Sequence, residues 1–124
     1  KAFLFDSDVL IDILRGNSKT IVQIETVAKD ALLYCSAITI GEIYAGMRPK
    51  EHTHTVALLD SLFCLAVTAQ IAEYGGGLKS KTKSHTLWLD DCLIASTAIA
   101  HNLPLLTKNS KHYPFKELEV INIK

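Results

Sequence analysis

The sequence predicts an α/β fold: one domain with a parallel central sheet of four to five strands and helices on both faces. Three observations predict it. Short, largely apolar runs (AFLF, ALLYCSA, FCLAV, PLLT, LEVINI) alternate with helical stretches along the entire chain, the pattern of strands buried on both sides. A chain of 124 residues matches one domain of roughly 100–150 residues. No repeat, low-complexity linker or second composition interrupts it.

Each element has its own signal. AFLF is a strand that stops at Asp6-Ser7-Asp8, whose side chains suit the start of a helix near Val9, and VLIDILRG runs from there to a stop at Gly16. Asn17-Ser18 caps a second helix, from Lys19 to about Asp30, with Ile21, Ile24, Val27 and Ala28 at helical spacing. ALLYCSA is the second strand. Thr39 is expected to cap a third helix that carries Glu42 and ends before Pro49. A fourth helix from about Lys50 carries Val56, Leu58, Leu59 and Leu62, and FCLAV follows as a strand. Thr68 caps TAQIAEYGGGLK, whose run of Gly75, Gly76 and Gly77 weakens a continuous helix. KSKTKSH is read as a basic connector. A helix from Leu89 to about His101 stops at Asn102, and PLLT and LEVINI close the sheet.

Composition excludes several classes. Lysine plus arginine and aspartate plus glutamate each number 13, so the net charge is zero; the chain is neither a basic nucleic-acid coat nor an acidic tail. No apolar run approaches the roughly 18 residues of a membrane-spanning helix, and no signal peptide is visible. Cys35, Cys64 and Cys92 are an odd number, lack metal-ligand spacing and sit in apolar runs. They are expected to be buried free thiols of a cytoplasmic protein.

The chemistry is expected where a parallel sheet collects it, at the carboxyl ends of the strands. Asp6 directly follows the first strand, Glu42 lies on the early helix after the second, and Asp90 and Asp91 open the helix that leads into PLLT. Each sits beside aliphatic residues, where an ionised group is costly unless paired or bound to a cation. Single residues have plainer explanations: Asp6 and Asp8 as caps, Asp90 and Asp91 as complements to a helix dipole, Glu42 as the capping-box partner of Thr39. Asp12 and Asp60 read as solvent-facing. Together, however, the oxygen-only donors suit Mg²⁺ or Mn²⁺.

Read as a set, these segments resemble the PIN-domain nucleases, and within them the VapC-like toxins of type II toxin–antitoxin pairs. FLFDSDVLIDIL carries Asp6 in the first acidic position followed by Ser7, SAITIGEIYAGM carries Glu42 in the second, and DDCLIASTAIAHNLPLLTKNSKHY carries Asp91 in the third with Asp90 beside it. YGGGL also resembles the helix before that motif. The resemblance spans nearly the whole chain in the right order. It departs at Asp8, where the family often has Asn, and at the fourth acidic position, where Asn109 stands and where the variant position, His112, is also not acidic. It implies a metal-dependent endoribonuclease that hydrolyses RNA, a homodimer, and a cognate antitoxin that masks the cleft.

In that reading Asp6, Glu42 and Asp91 are catalytic and hold Mg²⁺ or Mn²⁺ with Asp8 and Asp90, while Ser7, Thr107 and Asn109 support them. Lys79, Lys81, Lys83, Lys108, Arg15 and Arg48 are the candidate cations for the RNA backbone, and His85 and His101 are surface residues. Three rivals compete. Asp6-Ser7-Asp8 has the D-x-D of a haloacid-dehalogenase phosphatase, but Thr107 follows the acidic pair and there is no room for a cap domain. A receiver-like domain needs an Asp ending a central strand, which LLYCSA and FCLAV lack. A PIN-like scaffold without catalysis is kept alive by Asn109 and His112.

Overall fold

The computed structural model describes residues 1–83 and 87–124. Five strands, β1 (Ala2–Phe5), β2 (Leu32–Ser36), β3 (Phe63–Leu65), β4 (Leu105–Thr107) and β5 (Val120–Asn122), form one sheet in the order β3-β2-β1-β4-β5. Every pairing is parallel. Among the described residues six α-helices accompany them: α1 (Ser7–Leu14), α2 (Ser18–Val27), α3 (Ala37–Gly46), α4 (His52–Asp60), α5 (Ala69–Lys81) and α6 (Leu89–Ala100). The expected fold class is therefore the observed one.

Strand alternation divides the core. Phe3 and Phe5 of β1 pack with Val9 and Leu10 of α1, Ile24 of α2 and Ile43 of α3, while Leu4 between them packs with Leu78 of α5 and Ile94, Ala95 and Ala98 of α6. Val9, Leu10 and Ile94 are fully buried, each worth roughly 1.5–3 kcal/mol on transfer from water. This two-sided burial holds the starts of α1, α3 and α6 at the carboxyl edge of the sheet. No helix among the described residues is long and apolar enough to cross a membrane.

Local differences from expectation have physical causes. The second helix ends at Val27, and Asp30 turns into β2 with a left-handed φ of 59°. Helix α3 is capped by Ser36, whose hydroxyl accepts from the Ile38 N–H, so Thr39 lies inside the helix and Glu42 is no capping-box partner. The glycine run does not break α5. A Cβ at Gly75 would lie 2.9 Å from a Leu93 methyl and 3.1 Å from the Cys92 carbonyl, so glycine there lets α5 approach α6. A buried hydrogen bond from the Ser96 hydroxyl to the Ile71 carbonyl, 2.7 Å, fastens the same contact. As a result Lys79 and Lys81 are helical rather than part of a connector, which retains Lys83. Asn102 ends α6 as expected, with φ 53°. Cys35 and Cys92 are buried, but Cys64 is exposed because β3 is an edge strand.

Candidate active site

Asp6 leaves β1 in extended conformation and caps α1, its Oδ1 accepting the Ser7 N–H at 2.8 Å. Its other oxygen, Oδ2, accepts from the Thr107 hydroxyl at 2.7 Å and the Tyr113 hydroxyl at 2.9 Å. Thr107 is the last residue of β4, the strand beside β1. Asp6 is buried, and a buried carboxylate is tolerable when donors surround it. In the first turn of α1, Asp8 Oδ2 accepts from the Lys108 N–H at 3.1 Å and the Asn109 amide at 2.9 Å, while its Oδ1 is buried without a partner among the described residues.

The other carboxylates arrive on separate elements. Glu42 stands mid-way along α3, with Oε1 buried and without a partner among the described residues. Asp90 and Asp91 occupy the first turn of α6. Asp91 Oδ1 lies 3.4 Å from the Tyr113 hydroxyl, and its Oδ2 lies 3.6 Å from His112 Nδ1.

Crowding is written into their protonation. Burial pushes Asp91 up to about 6, with the charges of Asp90 and Asp6 adding to it. Burial, then the charge of Asp6, pushes Asp8 up to about 6 against the donors from Lys108 and Asn109. Burial, then the facing carboxyl of Asp90, pushes Glu42 up to about 8, with Ser7 pulling the other way. These are the directions expected of desolvated like charges. Tyr113 is driven far above its ordinary value by burial and by Asp6 and Asp91, so its hydroxyl stays a donor.

The structure thus brings Asp6, Asp8, Glu42, Asp90 and Asp91 to one edge, with Ser7, Thr107 and Asn109 among them. Among the described residues no group of three or more acidic, thiol or imidazole side chains is placed to hold a metal ion as it stands. The donor set nonetheless fits a hard cation: all oxygen, over-rich in negative charge, with two buried oxygens, Asp8 Oδ1 and Glu42 Oε1, that no described residue partners.

The candidate cations are scattered. Lys79 is half-buried and its charge is felt at Cys92, next to Asp91. Lys81 and Lys83 are exposed. Arg15 is exposed at the end of α1, and Arg48 pairs with Glu51 at 3.8 Å. Lys108 turns its ammonium to Asp12, which also accepts from the Thr20 hydroxyl and the Asn17 amide. Asp12 is therefore a structural anchor rather than a solvent-facing residue. His101 is exposed at the end of α6, and His85 lies outside the described residues. Tyr113 is the site residue that sequence reasoning missed; its only signal is an aromatic closing the polar stretch after Thr107.

A model of the PIN domain matches residues 3–119. A protein of Mycobacterium tuberculosis named ribonuclease VapC10 is 36% identical over 116 residues, covering 92% of this chain and 87% of its own. A toxin–antitoxin complex from Klebsiella pneumoniae contains a chain of 26% identity that superposes with a TM-score of 0.80, each chain covered to 98%. VapBC2 from Rickettsia felis, bound to a DNA fragment from its promoter, superposes with a TM-score of 0.85 over 100% of both chains at 22% identity, a likeness of fold.

Proposed function

The chain belongs to the PIN-domain family, and from that premise we propose that it is a VapC-like, metal-dependent endoribonuclease, the toxin of a toxin–antitoxin pair. Family membership sets aside the phosphatase and receiver readings. The observation that carries the proposal is the meeting of five carboxylates from α1, α3 and α6 and the end of β1, with Asp8, Glu42 and Asp91 all pushed towards protonation. Such a cluster costs stability unless positive charge relieves it.

Asp6, Glu42 and Asp91 are the residues that would hold Mg²⁺ or Mn²⁺, with Asp8 and Asp90 adding charge beside them. When bound, the cation supplies an activated water and stabilises the leaving oxygen of a phosphodiester. The chain's own groups prepare that site. Thr107 and Tyr113 fix the orientation of Asp6 by donating to its Oδ2. Ser7 holds the other Asp6 oxygen through its N–H. Asn109 and the Lys108 N–H hold Asp8. Lys79, Lys81 and Lys83, with Arg15 and Arg48, are the candidate contacts to the RNA backbone. A homodimer, a cognate antitoxin and a cytoplasmic setting, in keeping with three free cysteines, complete the reading.

The test is cleavage of RNA by the purified protein. Cleavage should require Mg²⁺ or Mn²⁺, stop with a chelator, and return on re-addition of metal. Cleavage that persists through chelation would end the metal-dependent mechanism. A second reading, a scaffold without catalysis, draws on Asn109, whose amide is bonded to Asp8 where a carboxylate ligand is absent. It predicts no cleavage and no metal uptake in a calorimetric titration.

A further inference from the structure

We propose that Cys35 and Cys64 are a modification site: a peroxide-class oxidant converts them to a reversible disulfide between β2 and β3. The two residues are direct register partners on adjacent parallel strands. Neighbouring strands run about 4.7–4.9 Å apart, inside the roughly 4.4–6.8 Å Cα window of a disulfide. Register partners also send their side chains to the same face. The flanking pair shows the alternation: Tyr34 and Phe63, one residue earlier on each strand, meet with ring centroids 5.3 Å apart. Tyr34 belongs to the core on the α5–α6 side, whereas Cys35 belongs to the core on the α1–α3 side. Cys92, the third thiol, is buried in the α5–α6 core and has no such partner among the described residues.

The two sulfurs differ in access. Cys64 is exposed on the edge strand, and Cys35 is fully buried. Burial, then the neighbouring Cys64, pushes the Cys35 thiol up to about 12. Cys35 therefore keeps its proton, and the oxidant meets Cys64 first. Cys64 gives up its proton, the thiolate attacks one peroxide oxygen, the O–O bond breaks, and the second oxygen leaves as hydroxide, which takes up that proton to become water, giving a sulfenic acid. The Cys35 sulfur then attacks the Cys64 sulfur. An S–S bond forms, the S–O bond breaks, and the hydroxyl departs as a second water with the Cys35 proton. One hydrogen peroxide is reduced to two waters as two thiols are oxidised. An exposed sulfur at Cys64 leaves the bond open to attack by an external thiol, the property of labile rather than structural disulfides. The cross-link lies at the root of α3, since Ser36, next to Cys35, caps the helix that carries Glu42.

The inference stands apart from the nuclease reading, because its readout is chemical. The whole protein is treated with hydrogen peroxide, denatured, alkylated and mapped by mass spectrometry without reductant. The expected result is a Cys35–Cys64 cross-linked peptide with Cys92 fully alkylated, reversal by dithiothreitol, and complete alkylation of Cys35 in the Cys64→Ser variant, whose exposed position leaves folding intact. Cys64 driven to sulfinic or sulfonic acid while Cys35 stays alkylatable would overturn it. So would cross-links joining Cys64 of one chain to Cys64 of another.

Discussion

Asp12 and Glu42 sit on neighbouring helices, α1 and α3, yet their environments are opposite. Asp12 accepts hydrogen bonds from the Lys108 ammonium, the Thr20 hydroxyl and the Asn17 amide. The Lys108 hydrogen bond holds its carboxyl below the ordinary range. Glu42 has a buried oxygen with no partner among the described residues and, driven by burial and by Asp90, is pushed up to about 8. One carboxylate is completed by the chain and ties α1, α2 and the segment after β4 together. The other has an oxygen that none of the described residues completes. Asp12, completed by its neighbours, belongs to the frame, and Glu42, left with an excess of negative charge beside it, marks where a cation belongs.

The largest expected effect breaks the incomplete side. Asp6→Asn and Asp91→Asn each remove charge from the cluster without changing its shape. A metal's contribution of several kcal/mol to transition-state stabilisation corresponds to a loss of about a thousandfold or more in cleavage rate. Single-turnover cleavage of an RNA substrate measures it, with circular dichroism to show that the fold is kept. A loss under about tenfold in both variants would assign the chemistry elsewhere.

The next effect concerns the metal-free protein and pH. In the folded chain Asp8 and Asp91 hold protons up to about 6 and Glu42 up to about 8, against ordinary values of 3.8, 3.8 and 4.5. Between those limits the folded state binds more protons than the unfolded state, so stability falls as pH rises. Thermal unfolding in chelator should therefore show a lower midpoint at pH of about 8 than at about 5. Mn²⁺ or Mg²⁺ at the higher pH should restore it, since a ligand of the folded state stabilises by mass action. A midpoint that rises with pH in chelator would show that the carboxylates are already neutralised.

Much of this contrast was legible in the sequence where it depends on local signals. Asp6 after AFLF and Asp90-Asp91 before CLIAS follow directly from an apolar strand ending at a polar residue and an acidic helix start. Asn17, Thr68 and Asn102 could be read as helix boundaries for the same reason. What escaped depends on distant partners. Asp12 and Lys108 are separated by 96 positions, and nothing near Asp12 tells a paired carboxylate from a solvated one. Tyr113 acquires its role only when the turn after β4 folds back over Asp6, 107 positions away. The glycine run continues α5 because Leu93 presses against Gly75, a tertiary demand invisible to propensity. Cys64 lies in an apolar run, but strand order, not composition, put it at the edge.

Tyr113→Phe is a smaller perturbation that sharpens the same boundary. It keeps the ring in the core and removes one donor from Asp6 Oδ2, leaving Thr107. Partners that orient metal ligands are typically worth about 10–100-fold in metal affinity or activity. A drop of about tenfold in Mn²⁺ affinity by titration, with the thermal midpoint in chelator little changed, is the expected result. An unchanged affinity with a large loss of stability would make Tyr113 a packing residue only.

The smallest effect belongs to the completed side. Lys108 and Asp12 are both partly exposed, at 31% and 21% of their side chains, so solvent screens their attraction and the pair is worth about 1 kcal/mol or less. Asp12→Asn and Lys108→Met should each lower the thermal midpoint by a few degrees at most and leave cleavage within about threefold of the parent. The two variants are informative as a pair. If the lysine serves only as an anchor, both changes act alike and the double variant is no worse than either. If the ammonium also leaves Asp12 to meet the RNA backbone, Lys108→Met loses cleavage while Asp12→Asn, which frees the ammonium, does not. The loss would then shrink as salt is raised, because a phosphate contact weakens with ionic strength. Equal rates for the two variants across a salt series assign Lys108 to the frame.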